Sequence, residues 1–123
     1  MSNLPQINEG AFEYYARLSK VKRYIEENLS REIRLEDAAQ VAGIEKKYFS
    51  FFFRTKVGVC FRDWLMCMRI AEAKRLMTAR NYSITQVAFK IGFADLRTFE
   101  RAFKRLAGLT PRDFKKSVEP HIQ

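Results

Sequence analysis

The sequence predicts an all-α fold of seven helices, in which one two-helix unit occurs twice. The first observation is an internal repeat, because FRTKVGVCFRDW begins at Phe53 and a diverged copy, FKRLAGLTPRDF, begins at Phe103. The second is that apolar residues recur at helical spacing along nearly the whole chain, whereas the alternation typical of strands is almost absent. A repeat at a fixed period indicates one supersecondary unit used twice.

Each copy has the pattern of a helix-turn-helix. Ala39 and Gly43 in the first copy match Ala88 and Gly92 in the second at the same spacing. A small alanine allows two helices to cross closely, and a glycine supplies the positive φ that a tight turn requires. The second turn is predicted to be one residue longer than the first. The sequence therefore predicts two homeodomain-like units.

The first four helices follow from apolar residues spaced by three and four positions. The first spans about residues 11–28, with the stripe Tyr14, Leu18, Val21, Ile25 and Leu29. A short second helix ends at Gly43, where glycine is a natural C-terminal cap. The third, at about 45–56, is expected to bury Phe49, Phe52 and Phe53. The fourth, at about 61–79, has no Gly or Pro inside it and bridges the two units.

Capping signals mark the last three helices. Ser83 and Gln86 form a capping box that opens the fifth helix. The sixth spans about 95–106, and Thr110 followed by Pro111 opens a short seventh. The predicted domains are an N-terminal extension at 1–17, a first helix-turn-helix subdomain at 18–60, a bridging helix at 61–79, a second subdomain at 80–118 and a tail at 119–123.

Composition favours a polyanionic partner. The chain has 23 Lys and Arg residues against 14 Asp and Glu residues, a formal net charge of +9. Such a balance is typical of nucleic-acid binding, although a solubilising surface charge is the alternative. No stretch reaches the roughly 18 apolar residues of a membrane span, and the N-terminus lacks the features of a signal peptide. We expect a cytoplasmic protein with free thiols.

The sequence offers nothing that catalysis requires. His121 is the only histidine and lies in the tail, and no phosphate loop or nucleophile–base pair is present. Cys60 and Cys67 are two helical turns apart, too far for an intrahelical disulfide. Cys60 takes the cap position that Thr110 has in the other copy. We expect no metal, no cofactor and no enzymatic activity.

At residues 18–118 the chain resembles the DNA-binding domain of the AraC/XylS family of bacterial transcription regulators. The most specific segment is SITQVAFKIGFADLRTFERAFKRLAGLTPRDF, which begins at Ser83. The chain departs from the family pattern at Arg34 and at Ala94, where the family has hydroxyl caps. A lost cap costs about 1 kcal/mol, so both helix starts are expected to fray more readily.

The outward residues of the third helix are the first set of candidate DNA contacts. Once the inward phenylalanines are set aside, the resemblance implies base contacts by Lys47, Ser50 and Phe51. Lys46 and Arg54 are better placed for phosphates. An outward Phe51 can pack on thymine methyl groups. Its alternatives are a third core aromatic or a contact with the fourth helix.

The sixth helix supplies the second set. Leu96, Arg97 and Arg101 are predicted base contacts, and both arginines can make bidentate contacts to guanine or to phosphate. Glu100, between them, either accepts from cytosine or orients an arginine. Lys104 is a predicted phosphate contact. So are Arg62 and Arg112, each in the first turn of a helix, with a solvated surface ion pair as the alternative.

The resemblance implies a sequence-specific transcription regulator that binds double-stranded promoter DNA. RNA polymerase is the further partner it implies, with a sensing domain if the chain is part of a longer protein. A bridging helix about 28 Å long would place both recognition helices in successive major-groove segments. The alternatives are a nonspecific architectural nucleic-acid binder and a module that docks on protein or on anionic membrane. No membrane partner is expected.

Overall fold

The computed structural model describes residues 4–79 and 81–118, and within them all regular structure is α-helical, which confirms the fold class. The eight helices of this part are α1 Gly10–Tyr14, α2 Ala16–Glu27, α3 Leu35–Ala42, α4 Lys46–Val57, α5 Phe61–Ala79, α6 Ile84–Lys90, α7 Leu96–Ala107 and α8 Pro111–Val118. None of them is both long and apolar enough to cross a bilayer. His121 and the predicted tail lie outside the described residues.

The chain forms two compact units. The first is Pro5–Met66, and the second begins at Cys67. Helix α5 runs without interruption from Phe61 to Ala79, as predicted, so its first residues belong to the first unit and its remainder to the second.

The predicted first helix is two helices, so the structure has eight where the sequence predicted seven. Tyr15 separates them in an extended conformation, with φ −100° and ψ 114°. This break lets Phe12 enter the core, where it stacks on Trp64 at 5.0 Å. Tyr14, predicted to be part of the apolar stripe, is instead 80% exposed. A single straight helix would present Tyr14 rather than Phe12 to the core.

The core of the first unit is built around Phe53. Its ring lies 5.5 Å from Phe61 and 5.3 Å from Trp64, centroid to centroid. Helices α2 and α3 close this cluster with small and aliphatic side chains that are buried: Leu18, Val21, Ile25, Ala38, Ala39 and Ala42. The apolar spacing of three and four positions thus becomes one inward face on each helix.

The second unit repeats this plan with fewer aromatic rings. Phe103, the counterpart of Phe53, contacts Phe99 at 5.7 Å and Phe114 at 5.6 Å. Phe93 also packs on Phe99. Further buried side chains from α5, α6 and α7 are aliphatic: Ile70, Ala73, Met77, Val87, Ala88, Ala102 and Leu106.

Both turns have the predicted glycine in the left-handed region, with φ +73° at Gly43 and +93° at Gly92. The residue after each glycine donates its N–H back to the buried alanine of the preceding helix. Ile44 N lies 3.1 Å from Ala39 O, and Phe93 N lies 3.1 Å from Ala88 O. This pattern is the Schellman closure of a helix. The second turn is one residue longer, as predicted, because its helix cap is Asp95 whereas the first cap is Glu45.

Candidate nucleic-acid interface

Helix α4 presents the first set of predicted contacts on one exposed face. Its inward residues Phe49, Phe53 and Val57 are buried, and most of the remaining positions are exposed to solvent. Lys46, Lys47, Ser50, Phe51 and Arg54 are all exposed. The side chain of Glu45 accepts a hydrogen bond from Lys47 N at 2.7 Å, so the start of the helix is capped.

Phe51 is 67% exposed, which excludes the alternative that it is a core aromatic. The neighbouring Phe52, predicted to be fully inward, is only half-buried and packs edge-on against Tyr15 at 5.5 Å. An exposed phenylalanine loses the free energy of burial unless another surface covers it. Phe51 is therefore available for an intermolecular apolar contact.

Helix α7 presents the second set. Phe99, Ala102, Phe103 and Leu106 are buried, as helical spacing requires. Arg97, Glu100, Arg101 and Lys104 are exposed, and Leu96 is half-buried. Together with the exposed Arg105, the helix therefore carries four exposed cationic side chains and one exposed carboxylate.

Four of the predicted cationic residues converge on one groove of about 430 Å³ beside α7. Its lining comes from α7 and from the start of α8, namely Arg97, Glu100, Arg101, Lys104, Thr110, Pro111 and Arg112. The hydroxyl oxygen of Thr110 caps α8 by accepting from Asp113 N at 3.1 Å. Because the N-terminus of a helix carries partial positive charge, it adds to the positive potential of these side chains.

The first unit has a groove at the equivalent position with different chemistry. It measures about 410 Å³ and is lined by Ile33, Leu35, Ser50, Cys60, Phe61, Arg62 and Leu65. Ser50 and Arg62 are thus brought together, with a half-buried thiol between apolar side chains. The other predicted contacts of this unit lie on the exposed face of α4 and do not line this groove: Lys46, Lys47, Phe51 and Arg54.

A model of the family described as a helix-turn-helix domain matches residues 38–117, which include α4, α7 and the groove beside α7. The chain belongs to the AraC/XylS-type helix-turn-helix family. Helices α1 and α2 and the start of α3 lie outside the matched segment.

The relatives of this AraC/XylS-type chain are named as transcription regulators. The regulatory protein PocR of Salmonella typhimurium is 27% identical over 95% of this chain and 39% of its own length. The uncharacterized regulator YfiF of Bacillus subtilis is 32% identical over 81% of this chain and 32% of its own length. The chain therefore spans about two fifths of the length of the first curated relatives that it matches, 39% and 42%.

A solved structure shares the fold. It is the DNA-binding domain of AdpA, a global transcriptional factor, in complex with a target DNA. It is 27% identical, covers 82% of this chain and 91% of its own, and has a TM-score of 0.77.

In this AraC/XylS-type chain the cap of α7 differs from the one expected. Ala94 was expected to leave the helix start uncapped, but Asp95 caps it, accepting from Thr98 N at 2.8 Å and from the Thr98 hydroxyl at 2.9 Å. The backbone N–H of Thr98, and then its hydroxyl, hold the pKa of Asp95 below its usual value, with a smaller contribution from Arg101. At the other departure, Arg34, the carboxylate of Asp37 accepts the Arg34 backbone N–H at 2.9 Å.

Two lysines that were not among the predicted contacts lie beside Arg112. Lys115 and Lys116 line a shallow depression of about 340 Å³ together with Arg112 and Ile84. Lys115 Nζ donates to the carbonyl of Tyr82 at 2.7 Å, whereas Lys116 is exposed. Their spacing of three and four positions from Arg112 is the signal that was available in the sequence, because such residues share one face of a helix.

Proposed function

We propose that the chain is a sequence-specific DNA-binding domain of a transcription regulator, with α4 and α7 as the two recognition helices. In a helix-turn-helix the second helix enters the major groove while the first crosses the backbone. The AdpA domain, which shares this fold, is bound to a target DNA. Here α3 and α6 are the bracing helices.

The observation that carries this proposal is the cationic groove beside α7, lined by Arg97, Arg101, Lys104 and Arg112. These side chains surround a concave surface at a helix N-terminus, which is an arrangement that suits phosphate oxygens. Arg97 and Arg101 are one helical turn apart and exposed, so they can reach base edges. We assign these two, together with Leu96, to base contacts, and Lys104 and Arg112 to phosphates.

In the first unit we assign base contacts to Lys47, Ser50 and Phe51. The exposed ring of Phe51 suits the C5-methyl group of thymine, which is the apolar feature of the major groove. Phosphate contacts are assigned as a set to Lys46, Arg54 and Arg62. Lys46 Nζ lies 3.8 Å from Glu36 Oε2 in a pair exposed on both sides, so this ion pair is weak enough to be exchanged for a phosphate.

On DNA we propose that both recognition helices bind one duplex in successive major-groove segments, giving an asymmetric site of two short boxes about 10–11 base pairs apart. Inserting five base pairs between the boxes would turn one of them to the opposite face of the duplex. We therefore expect the insertion to abolish simultaneous contact. Unchanged affinity would mean that one unit alone accounts for binding.

The whole protein's partners are part of the proposal. As a promoter-bound regulator at the bacterial nucleoid it would contact RNA polymerase, and a sensing domain would belong to any longer chain of which this is a part. The proposal involves no catalytic step, since the residues assigned act only by contact with DNA.

The test is a selection of bound sequences from random duplexes, followed by affinity measurements at several salt concentrations. We expect two preferred boxes and a loss of affinity of roughly tenfold or more between low and physiological salt, because phosphate contacts release counterions. A shallow sequence preference with the same salt dependence would favour the nonspecific architectural binder. Binding indifferent to salt, or displaced by anionic lipid vesicles, would contradict the proposal.

A further inference from the structure

In both units an arginine from outside the helix-turn-helix contacts the backbone of the turn. In the first unit Arg17, near the start of α2, donates from Nη1 to the carbonyl of Ala42 at 2.7 Å and to that of Gly43 at 3.1 Å. In the second, Arg69 of α5 donates from Nη1 to the carbonyl of Gly92 at 3.4 Å. The two arginines come from α2 and α5, and each reaches the carbonyl of the turn glycine.

Arg17 connects three parts of the first unit. Its guanidinium holds the last carbonyl of α3 and that of the turn, where a cation is also favoured by the negative end of the helix dipole. The same side chain lines an open cavity of about 470 Å³ with Tyr48 and Phe52 of α4. A Cβ built on Gly43 would lie 3.3 Å from Arg17 Nη1, so the side chain covers the turn closely.

Arg69 has a different setting. It is half-buried, and burial lowers the pKa of its guanidinium from the ordinary value. Its hydrogen bond to Gly92 is longer than either bond of Arg17, and a bond of that length is weak. Phe93, the residue after Gly92, packs on Phe99 of α7 at 5.3 Å. Arg69 therefore contacts the segment that links α6 to the recognition helix α7.

We propose that Arg17 and Arg69 are positioning residues that fix the orientation of α4 and α7 and thereby set base preference without contacting DNA. The proposal rests on the function proposed above. In a helix-turn-helix the angle at the turn determines which side chains of the second helix reach base edges. A charge-assisted bond to the turn carbonyls restricts that angle, because such bonds are stronger than neutral ones.

Two variants of the full chain, Arg17→Ala and Arg69→Ala, test the proposal by selection from random duplexes. Arg17→Ala should relax the base preference in the box bound by α4 and leave the other box unchanged. It should also lower the affinity for the parental site about tenfold, which corresponds to the free energy of one hydrogen bond to a charged group. Arg69→Ala should relax only the box bound by α7, by a smaller factor. Arg17→Lys keeps a cationic donor and should restore part of the preference.

Matched controls remove an exposed arginine from the same helix. Arg23→Ala lies in α2 with Arg17, and Arg75→Ala lies in α5 with Arg69. Each control loses one positive charge without changing a turn, so it should lower affinity slightly and keep both boxes. If the controls relaxed the boxes as the test variants do, or if Arg17→Ala selected the parental boxes unchanged, the proposal would be overturned.

A second measurement does not depend on DNA. The amide N–H groups of Gly43 and Ile44 close the C-terminus of α3, bonding to Gln40 O at 3.0 Å and Ala39 O at 3.1 Å. In free Arg17→Ala their hydrogen exchange should rise at least several-fold, while the buried residues Val21 and Ile25 of α2 stay protected. Exchange that rises uniformly would show a loss of stability and contradict the positioning role. If the parent protein showed no sequence preference but Arg17→Ala still showed this local rise in exchange, the proposed function would be wrong, whereas the contact of Arg17 with the turn would stand.

Discussion

At their outward positions the two recognition helices carry different chemistry on the same framework. By the register of the repeat, Ser50 and Phe51 of α4 correspond to Glu100 and Arg101 of α7. All four are exposed. Helix α4 thus offers a hydroxyl and an aromatic ring at the positions where α7 offers a carboxylate and a guanidinium.

The grooves beside the two helices also differ in charge, and the groove of the second unit is the more cationic. Cys60 and Phe61 occupy the places of Thr110 and Pro111, and the two cavities have similar volumes, about 410 and 430 Å³. The first cavity has one cation, Arg62, whereas the second is lined by four cationic side chains. The groove of the second unit is therefore suited to charged contacts, and the groove of the first unit to apolar ones.

The inward positions have changed far less. Ala39 and Ala88 are buried at the crossing of each helix pair, and Phe53 and Phe103 are both fully buried. A helix-turn-helix needs these side chains for close packing, whereas its outward face is free to vary. The fold of each unit therefore depends on a few inward residues, and its binding chemistry is set independently by the outward ones.

The largest expected effect is a loss of stability, which should differ between the cores of the two units. Phe53→Ala should lower the free energy of unfolding by about 3–5 kcal/mol, the range for a buried Phe. Phe103→Ala should cost less, because it contacts two rings, whereas Phe53 contacts the rings of Phe12, Phe49, Phe61 and Trp64. Urea unfolding followed by helical circular dichroism measures both. Phe51→Ala is the control and should cost within about 0.5 kcal/mol, since its ring is exposed; a cost equal to that of Phe53→Ala would contradict the described core.

The next effect distinguishes base contacts from phosphate contacts. Arg97→Ala should weaken binding to the selected site by about 1–3 kcal/mol and relax the preference at one or two base pairs. Lys46→Ala should weaken specific and nonspecific duplexes alike, because a phosphate contact carries no sequence information. Titrations of both variants against the selected and a scrambled duplex provide the measurement. If both variants kept the parental preference, the assignment of Arg97 would be wrong.

The apolar and charged faces can be separated by salt. Arg101→Ala removes a positive charge close to the DNA, so the slope of log affinity against log salt should fall, by less than the roughly 0.9 of a full phosphate contact. Phe51→Ala removes no charge and should leave the slope unchanged, while reducing the preference for thymine in the box bound by α4. Two variants at equivalent positions thus serve as controls for each other. Equal changes in slope would show that the two units do not differ as proposed.

Most of the fold could be predicted because its signals are local. The spacing of apolar residues, the glycines at both turns and the capping box of Ser83 with Gln86 all depend on neighbours within a few positions, and the structure confirms them. The break at Tyr15 could not be predicted in this way, because its cause is a tertiary contact between Phe12 and Trp64.

The exposed faces of the candidate site could also be predicted from local signals. Exposure of the outward faces follows from the buried stripes, and the roles assigned to those residues stay predictions. The contacts of Arg17 and Arg69 with the turns were missed, because long side chains that reach a carbonyl more than twenty positions away leave no periodic signal. The Asp95 cap was not predicted, because the family pattern has its hydroxyl cap one residue earlier, at the position of Ala94.

The smallest effect concerns the caps of the two recognition helices. Asp95 accepts two hydrogen bonds from Thr98, whereas Glu45 accepts one from Lys47 N. Because the pKa of Asp95 is lowered in the folded state, its carboxylate stabilises α7 above the unfolded pKa of about 3.9, and this stabilisation is lost as the pH falls through the folded pKa. Asp95→Asn keeps an acceptor oxygen but has no charge to titrate.

We therefore expect the parent to have the higher thermal midpoint near pH 6, and the gap between parent and Asp95→Asn to close as the pH is lowered below about 4. Asp113→Asn, which also removes an exposed carboxylate from the first turn of a helix, corrects for the change in net charge. Thermal unfolding of the three proteins across this pH range is the measurement. A gap that stayed constant down to pH 2.5 would mean that the Asp95 cap acts through its hydrogen-bond geometry alone, and the two caps would then differ in the number of bonds they accept and not in charge.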